Sequence, residues 1–154
     1  GATGCEFNNI TGSAYGGSGS GSMTGVYTYV DTGLRPNTQF GYKVRYKNGS
    51  GIWTAYNTTE QTHYTFVNPP IFTGYDSVSS NTVNVTWASD NNPNYTVYSI
   101  DLSPDIGFTS NSSTTTTAAS CQFTGLTPNT TYFTRIKTKN QENRLQAVQN
   151  HRHR

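Results

Sequence analysis

The sequence predicts an all-β protein built from two antiparallel, seven-stranded Greek-key β-sandwiches in tandem, with the first copy incomplete at its N-terminal side. Three observations carry this expectation. The run Gly33-Leu34-Arg35-Pro36-Asn37-Thr38-Gln39-Phe40 returns as Gly125-Leu126-Thr127-Pro128-Asn129-Thr130-Thr131-Tyr132, an offset of 92 residues. That period is too long for a solenoid and suits a whole small sandwich. Charged residues make up 12% of the chain, against a usual ~25%, while Thr, Ser, Asn, Gly and Tyr dominate, which favours strands and polar turns over helix. Apolar residues around each copy alternate at period two. The repeat divides the chain into residues 1–65 and 66–154. Counting one period back from Pro69-Pro70, where the second copy opens, lands ahead of Gly1, so the first copy lacks roughly its first quarter. Either the chain is a piece of a longer protein, or another molecule supplies those strands.

Taken in order, residues 5–10 read as a short strand, and residues 12–22 are too rich in Gly and Ser to pack a core. Residues 26–30 and 40–47 read as strands joined by the Leu34-Arg35-Pro36-Asn37 corner, and residues 52–56 as the last strand of the first copy. In the second copy the predicted strands are 72–78, 82–89, 95–102, 120–123, 132–139 and 145–148, with a polar Ser/Thr run at 111–117. Val83, Val85 and Trp87 alternate inward, whereas apolar residues fall on both parities of 95–102 and leave its inward face open.

Val83-x-Val85-x-Trp87, then Phe123-x-Gly125-Leu126-x-Pro128-x-Thr130-x-Tyr132, then alternating Thr134, Ile136 and Thr138 up to Asn140, resemble a fibronectin type III domain. The resemblance covers residues 66–154 as one module and 1–65 as the back two-thirds of another, and implies immunoglobulin-like sandwiches that serve as non-catalytic building blocks. In the first copy the corner aromatic is Phe40, which lacks a hydroxyl. No Arg-Gly-Asp stands in Asn48-Gly49-Ser50-Gly51 or Asn140-Gln141-Glu142-Asn143, so integrin-type recognition finds no support.

The inventory for catalysis is thin, because an active site needs paired titratable groups or a nucleophile beside a base. The acids Glu6, Asp31, Glu60, Asp76, Asp90, Asp101, Asp105 and Glu142 are scattered, mostly at predicted turns. Asp101 and Asp105 are the one close pair, read as turn formers flanking Pro104. His63 stands apart, His151 and His153 alternate with Arg152 and Arg154 at an exposed basic end, and no third metal ligand accompanies them. No Gly-rich phosphate loop precedes a helix. The expectation is therefore no enzyme, no cofactor and no metal. A formal charge of +2 does not suit a nucleic-acid binder, and no apolar run reaches the ~18 residues of a membrane span.

Lys43, Arg45 and Lys47, like Arg135, Lys137 and Lys139, fall on one strand face each. Such rows suit an acidic polysaccharide or an acidic patch of a neighbouring protein; the alternative is a solvated face that discourages edge pairing. Trp53 is the tryptophan left over for sugar stacking once Trp87 is assigned to the core. Cys5 and Cys121 lie in different copies, and three readings stay open: a buried Cys121 thiol, an intermolecular bond between Cys5 and a neighbour's Cys121, or a bond to protein outside the segment. Asn9, Asn48, Asn57, Asn84, Asn94, Asn111 and Asn129 each head an Asn-x-Ser/Thr acceptor, which on a secretory route implies glycosylation. Together these features point to an extracellular or cell-surface glycoprotein repeat, a structural or adhesive module of a filament that self-associates through β-sandwich contacts and strand complementation. The competing reading is a spacer or carbohydrate-binding accessory of a larger secreted polysaccharide-degrading enzyme.

Overall fold

The computed structural model describes residues 2–9, 19–21, 30–142 and 145–153, with the strands outside 30–142 described as backbone. Eleven strands and no helix occur among these residues: β1 Ala2–Asn9, β2 Gly19–Gly21, β3 Gln39–Asn48, β4 Gln61–Tyr64, β5 Ile71–Val78, β6 Thr82–Ala88, β7 Val97–Ser103, β8 Ser112–Thr116, β9 Ser120–Thr124, β10 Tyr132–Lys139 and β11 Leu145–His153. They fall into two compact units, Gly1–Thr65 and Phe66–Arg154. Of the strand expected over residues 26–30 only Val30 is described, and it is not in a strand; the bulk of the Gly/Ser loop also lies outside the described residues.

Unit 2 is a complete sandwich of a three-stranded sheet, β5-β6-β9, and a four-stranded sheet, β11-β10-β7-β8. The chain changes sheet after β6, β8 and β9, so hairpin partners are not simply consecutive. Its core is what period two dictates. Val83, Val85 and Trp87 of β6 face Tyr98, Ile100 and Leu102 of β7 and Ile136 of β10, with Phe123 of β9 closing the cluster. This settles the inward face of β7, where the sequence pattern is ambiguous. Trp87 and Tyr98 pack with centroids 5.5 Å apart, a tilted aromatic pair between the two sheets. Covering each such side chain is worth roughly 1.5–3 kcal/mol.

The entry to unit 2 is tied down by amides. Asn68 N–H donates to Asn92 Oδ1 at 2.8 Å, Asn92 Nδ2 donates back to the Asn68 carbonyl at 2.8 Å, and Asn68 Nδ2 reaches the Asp90 carbonyl. Asn92 is buried, so this reciprocal bonding satisfies groups whose desolvation would otherwise be costly.

The two corners share one backbone. Gly33 and Gly125 both have φ 72°, and Asn37 and Asn129 have φ 49° and 56°, left-handed conformations that Gly and Asn adopt at least cost. In unit 2 the Thr127 N–H donates to the Tyr132 hydroxyl at 3.0 Å and locks the corner. Phe40 offers no such group, and Thr65 supplies it instead. The Thr38 N–H donates to Thr65 Oγ1 at 3.0 Å, and that hydroxyl donates to the Arg35 carbonyl at 2.6 Å.

Unit 1 shows one four-stranded sheet, β2-β1-β3-β4, whose order matches β8-β7-β10-β11 of unit 2. The last strand expected over residues 52–56 is reduced to a single bridge, Lys47↔Trp53, and regular pairing resumes only at β4. The cause is an insertion along the edge. Lys47↔Trp53 and Phe40↔His63 enclose ten steps against seven, whereas Lys139↔Leu145 and Tyr132↔His153 enclose eight against seven. Asn57 fills the gap by accepting the Val44 N–H through Oδ1.

Candidate functional site

The inward face of the unit 1 sheet is the largest difference between the two units. Tyr42 and Val44 stand 92 positions before Thr134 and Ile136. Thr134 and Ile136 are 0% exposed beneath the facing sheet, whereas Tyr42 and Val44 are only partly buried. They line a cavity of about 570 Å³ with Val30, Leu34, Asp31 and Asn57. Val30 is 78% exposed. The Tyr42 hydroxyl donates to Asp31 Oδ2 at 2.8 Å, leaving a polar rim beside an apolar floor. Among the described residues of unit 1 no second sheet covers this floor.

The outward faces differ as well. Asp101, read as a turn former at the end of the strand expected over 95–102, sits within β7 and is buried, because Arg135 and Lys137 fold over it from β10. Arg135 Nε and Nη2 lie 2.9 and 2.7 Å from Asp101 Oδ2, Lys137 Nζ lies 2.8 Å away, and Ser113 donates to Oδ1. Burial alone would raise the Asp101 carboxyl, but the hydrogen bonds from Lys137, Ser113 and Arg135 outweigh it and hold it below the usual carboxylate range. The Arg135 guanidinium also stacks on Phe108 at 4.3 Å. Of that row, Lys139 has no such carboxylate partner among the described residues. Asp105 is a turn former: the Thr109 hydroxyl and the Gly107 and Thr109 N–H groups all donate to it and depress its carboxyl.

In unit 1 the corresponding row is arranged by aromatics. The Arg45 guanidinium lies 4.8 Å from the Trp53 ring centre and 4.7 Å from that of Tyr56, and Lys47 Nζ lies 5.5 Å over Trp53. The 52–57 segment brings these rings alongside β3 through Thr54 N–H to the Tyr46 carbonyl and Asn57 N–H to the Val44 carbonyl. Trp53 was legible as a free tryptophan; Tyr56 was not, since its place depends on the insertion.

Of the glycosylation acceptors, Asn48, Asn94, Asn111 and Asn129 are exposed at turns or strand ends. Asn57 is exposed with its amide engaged by Val44 and the Thr59 carbonyl, and Asn84 lies in the middle of β6. The side chain of Asn9 lies outside the described residues. So does that of Cys5, whose backbone is in register with Gly21 and Tyr46. Cys121 is a free thiol, packed against the unit 2 core and pushed up in pKa by burial. His151 and His153 fall on β11, described as backbone. Among the described residues no group of three or more His, Cys, Asp or Glu assembles a metal site, and no helix is long and apolar enough to cross a membrane.

Residues 68–151 match the family described as fibronectin type III domain. The chain belongs to that family. One solved structure supports the fold. A two-domain fibronectin type III segment of chicken tenascin superposes with a TM-score of 0.66 at 14% identity, covering 98% of this chain and 82% of that one. The d3-d4 domains of the rat CD45 extracellular region match with a TM-score of 0.49 at 21% identity, over 83% of this chain and 69% of that one. The FN1-FN3 domains of chicken CNTN1 match with a TM-score of 0.45 at 17% identity, over 98% of this chain and 55% of that one. No curated protein matches the sequence. Type III modules are in general non-catalytic, and no catalytic domain is identified in this chain.

Proposed function

We propose that this tandem type III chain is a structural or adhesive module of an extracellular, glycosylated filament or surface fibre, and that unit 1 joins it to a neighbouring copy by taking up strands from that copy. The observation that supports this is the inward face of the unit 1 sheet, which no second sheet covers among the described residues, with Val44, only partly buried, at the position that Ile136 occupies in the sealed core of unit 2. Apolar floor and open sheet edges are costly to leave in water, and strands from a second molecule cover both at once. Head-to-tail use of one such joint propagates without closing, which is the geometry of a fibre. Seven acceptor sequons and the low charge content accord with a glycan-coated extracellular surface.

Light scattering and electron microscopy of the chain over a range of concentrations test this. Assembly that grows with concentration, and that Val44→Lys abolishes while the unfolding of unit 2 stays unchanged, supports the joint. A monodisperse monomer with the amides of β3 protected refutes it. So does a longer natural polypeptide in which residues ahead of Gly1 cover Val44 within the same molecule; that result leaves the spacer of a secreted enzyme as the standing account.

A further inference from the structure

We propose that the groove between the 79–82 turn and the 125–132 corner of unit 2 is the seat of an N-linked glycan carried by Asn129, whose first, neutral sugars lie in it. This rests on the glycosylated reading above and adds which acceptor has a place built for its sugars.

The groove is a cavity of about 380 Å³ within unit 2. Pockets that hold small ligands run from about 300 to 1,000 Å³. Val83, Leu126 and Tyr132 supply apolar surface, and Val78, exposed at the end of β5, continues it. Ser80, Thr127 and Thr131 bring hydroxyls that form no hydrogen bond with any described residue. No charged side chain lines the groove among the described residues. An apolar floor with a neutral rim of donors and acceptors suits a sugar ring, which has C–H faces and a girdle of hydroxyls. It does not suit a phosphate or a carboxylate, whose strong partners are cations. The walls are fixed before any sugar arrives. The Leu126 N–H donates to the Asn81 carbonyl at 2.9 Å, the Ser79 N–H donates to the Thr82 carbonyl at 3.0 Å, and the Thr127 N–H is held by the Tyr132 hydroxyl.

Asn129-Thr130-Thr131 places an acceptor sequon on this wall. Asn129 is exposed with φ 56°, and its amide makes no hydrogen bond to a described residue. Asn57 and Asn111, by contrast, engage Nδ2, the atom that carries the sugar, with the Thr59 carbonyl and the Ser113 hydroxyl. The corner of unit 1 lacks the feature, because Asn37 is fully buried and the following Thr38-Gln39 breaks the sequon. In the transfer, Asn129 Nδ2 forms a bond to the anomeric carbon of a glycosyl diphosphate donor. The bond from that carbon to the diphosphate oxygen breaks, the diphosphate leaves with the electron pair, and the amide gives up one proton. A tether this short holds the sugars at an effective concentration in the millimolar range, so even weak contacts with the groove are populated.

The test compares the 154-residue chain secreted from eukaryotic cells with the same chain made in bacteria without glycans. Peptide mass mapping reads occupancy at each acceptor, and hydrogen exchange reads the Leu126 amide, which joins the corner to the turn. Opening of that joint releases the sugars, so a seated glycan is expected to slow exchange at Leu126 about two- to fivefold. Nuclear Overhauser contacts between sugar protons and the Val78 and Leu126 methyls are expected beside it. Thr131→Val, which removes this acceptor alone, is expected to abolish the slowing. Ser80→Tyr, which fills the groove from an exposed position, is expected to keep the glycan and lose both signals. A glycan at Asn48 or Asn94 with none at Asn129, equal exchange with and without the Asn129 glycan, or slowing that survives Ser80→Tyr overturns the seat and leaves the glycosylated reading standing. No glycan at any acceptor overturns both.

Discussion

Asp101→Asn removes the charge on which the outward face of unit 2 converges while keeping the side chain's size. In the folded chain the carboxylate takes three N–H groups from two cations and one hydroxyl, at 2.7–2.9 Å, with its side chain 4% exposed. Exposed ion pairs contribute up to about 1 kcal/mol, whereas removing one partner of a buried pair costs about 3–5 kcal/mol. Arg135 and Lys137 keep 26% and 21% of their side-chain surface in water, which places this network between the two limits, at about 2 kcal/mol. For a domain of this size that lowers Tm by about 8–16 °C. The pH dependence gives a second, independent reading. The folded carboxyl is depressed, so its stabilisation is present above the unfolded value of about 4 and is lost as pH falls through the lower folded value. Urea unfolding followed by Trp87 emission, in a Trp53→Phe background so that unit 2 alone reports, measures both. The parent loses its advantage over Asp101→Asn only below about pH 4. A difference under about 0.5 kcal/mol at pH 7, or one that persists unchanged at pH 2, refutes the account of Asp101 as the clasp of this face.

Three further outcomes follow from the same geometry. Ile136→Ala, at a fully buried position, costs about 2–5 kcal/mol in urea unfolding, while Val44→Ala at the equivalent place in unit 1 costs under about 1 kcal/mol; equal losses would mean that the unit 1 floor is already covered. Tyr132→Phe and Thr65→Val each unlock one corner at about 1–2 kcal/mol, read by faster hydrogen exchange at Thr127 and at Thr38 respectively, and exchange unchanged at both amides would dismiss the corner clamps. Burial raises the Cys121 thiol, so its alkylation at pH 8 runs several-fold slower than that of an exposed cysteine and recovers only at higher pH; a rate equal to that of a free thiol contradicts the packing against the core.

Most of the framework of unit 2 was legible in the chain. Period-two alternation through Val83, Val85 and Trp87 and through Thr134, Ile136 and Thr138 marks inward faces, and the repeated corner marks where strands must turn, since both signals are local. Pairings across strands were not legible. Asp101 looked like a loop acid because its neighbours Ser103 and Pro104 suggest a turn, and nothing in the linear order announces that β10 brings Arg135 and Lys137 over it. Likewise Ile52 to Tyr56 has strand composition, yet the extra residues before His63 break the ladder and turn Trp53 and Tyr56 into platforms for Arg45. Thr65 replaces the missing tyrosine hydroxyl from 27 residues away along the chain, beyond any window a motif covers.

By itself, then, the amino-acid order determined the all-β class, the type III corner and which side chains point inward, because backbone pleat and turn chemistry are properties of neighbouring residues. The tertiary structure alone decided that Arg135 and Lys137 are spent on a buried carboxylate, and that the inward face of unit 2 is sealed. Those outcomes depend on register between strands dozens of residues apart, where one position of offset exchanges Asp101 for a neutral neighbour.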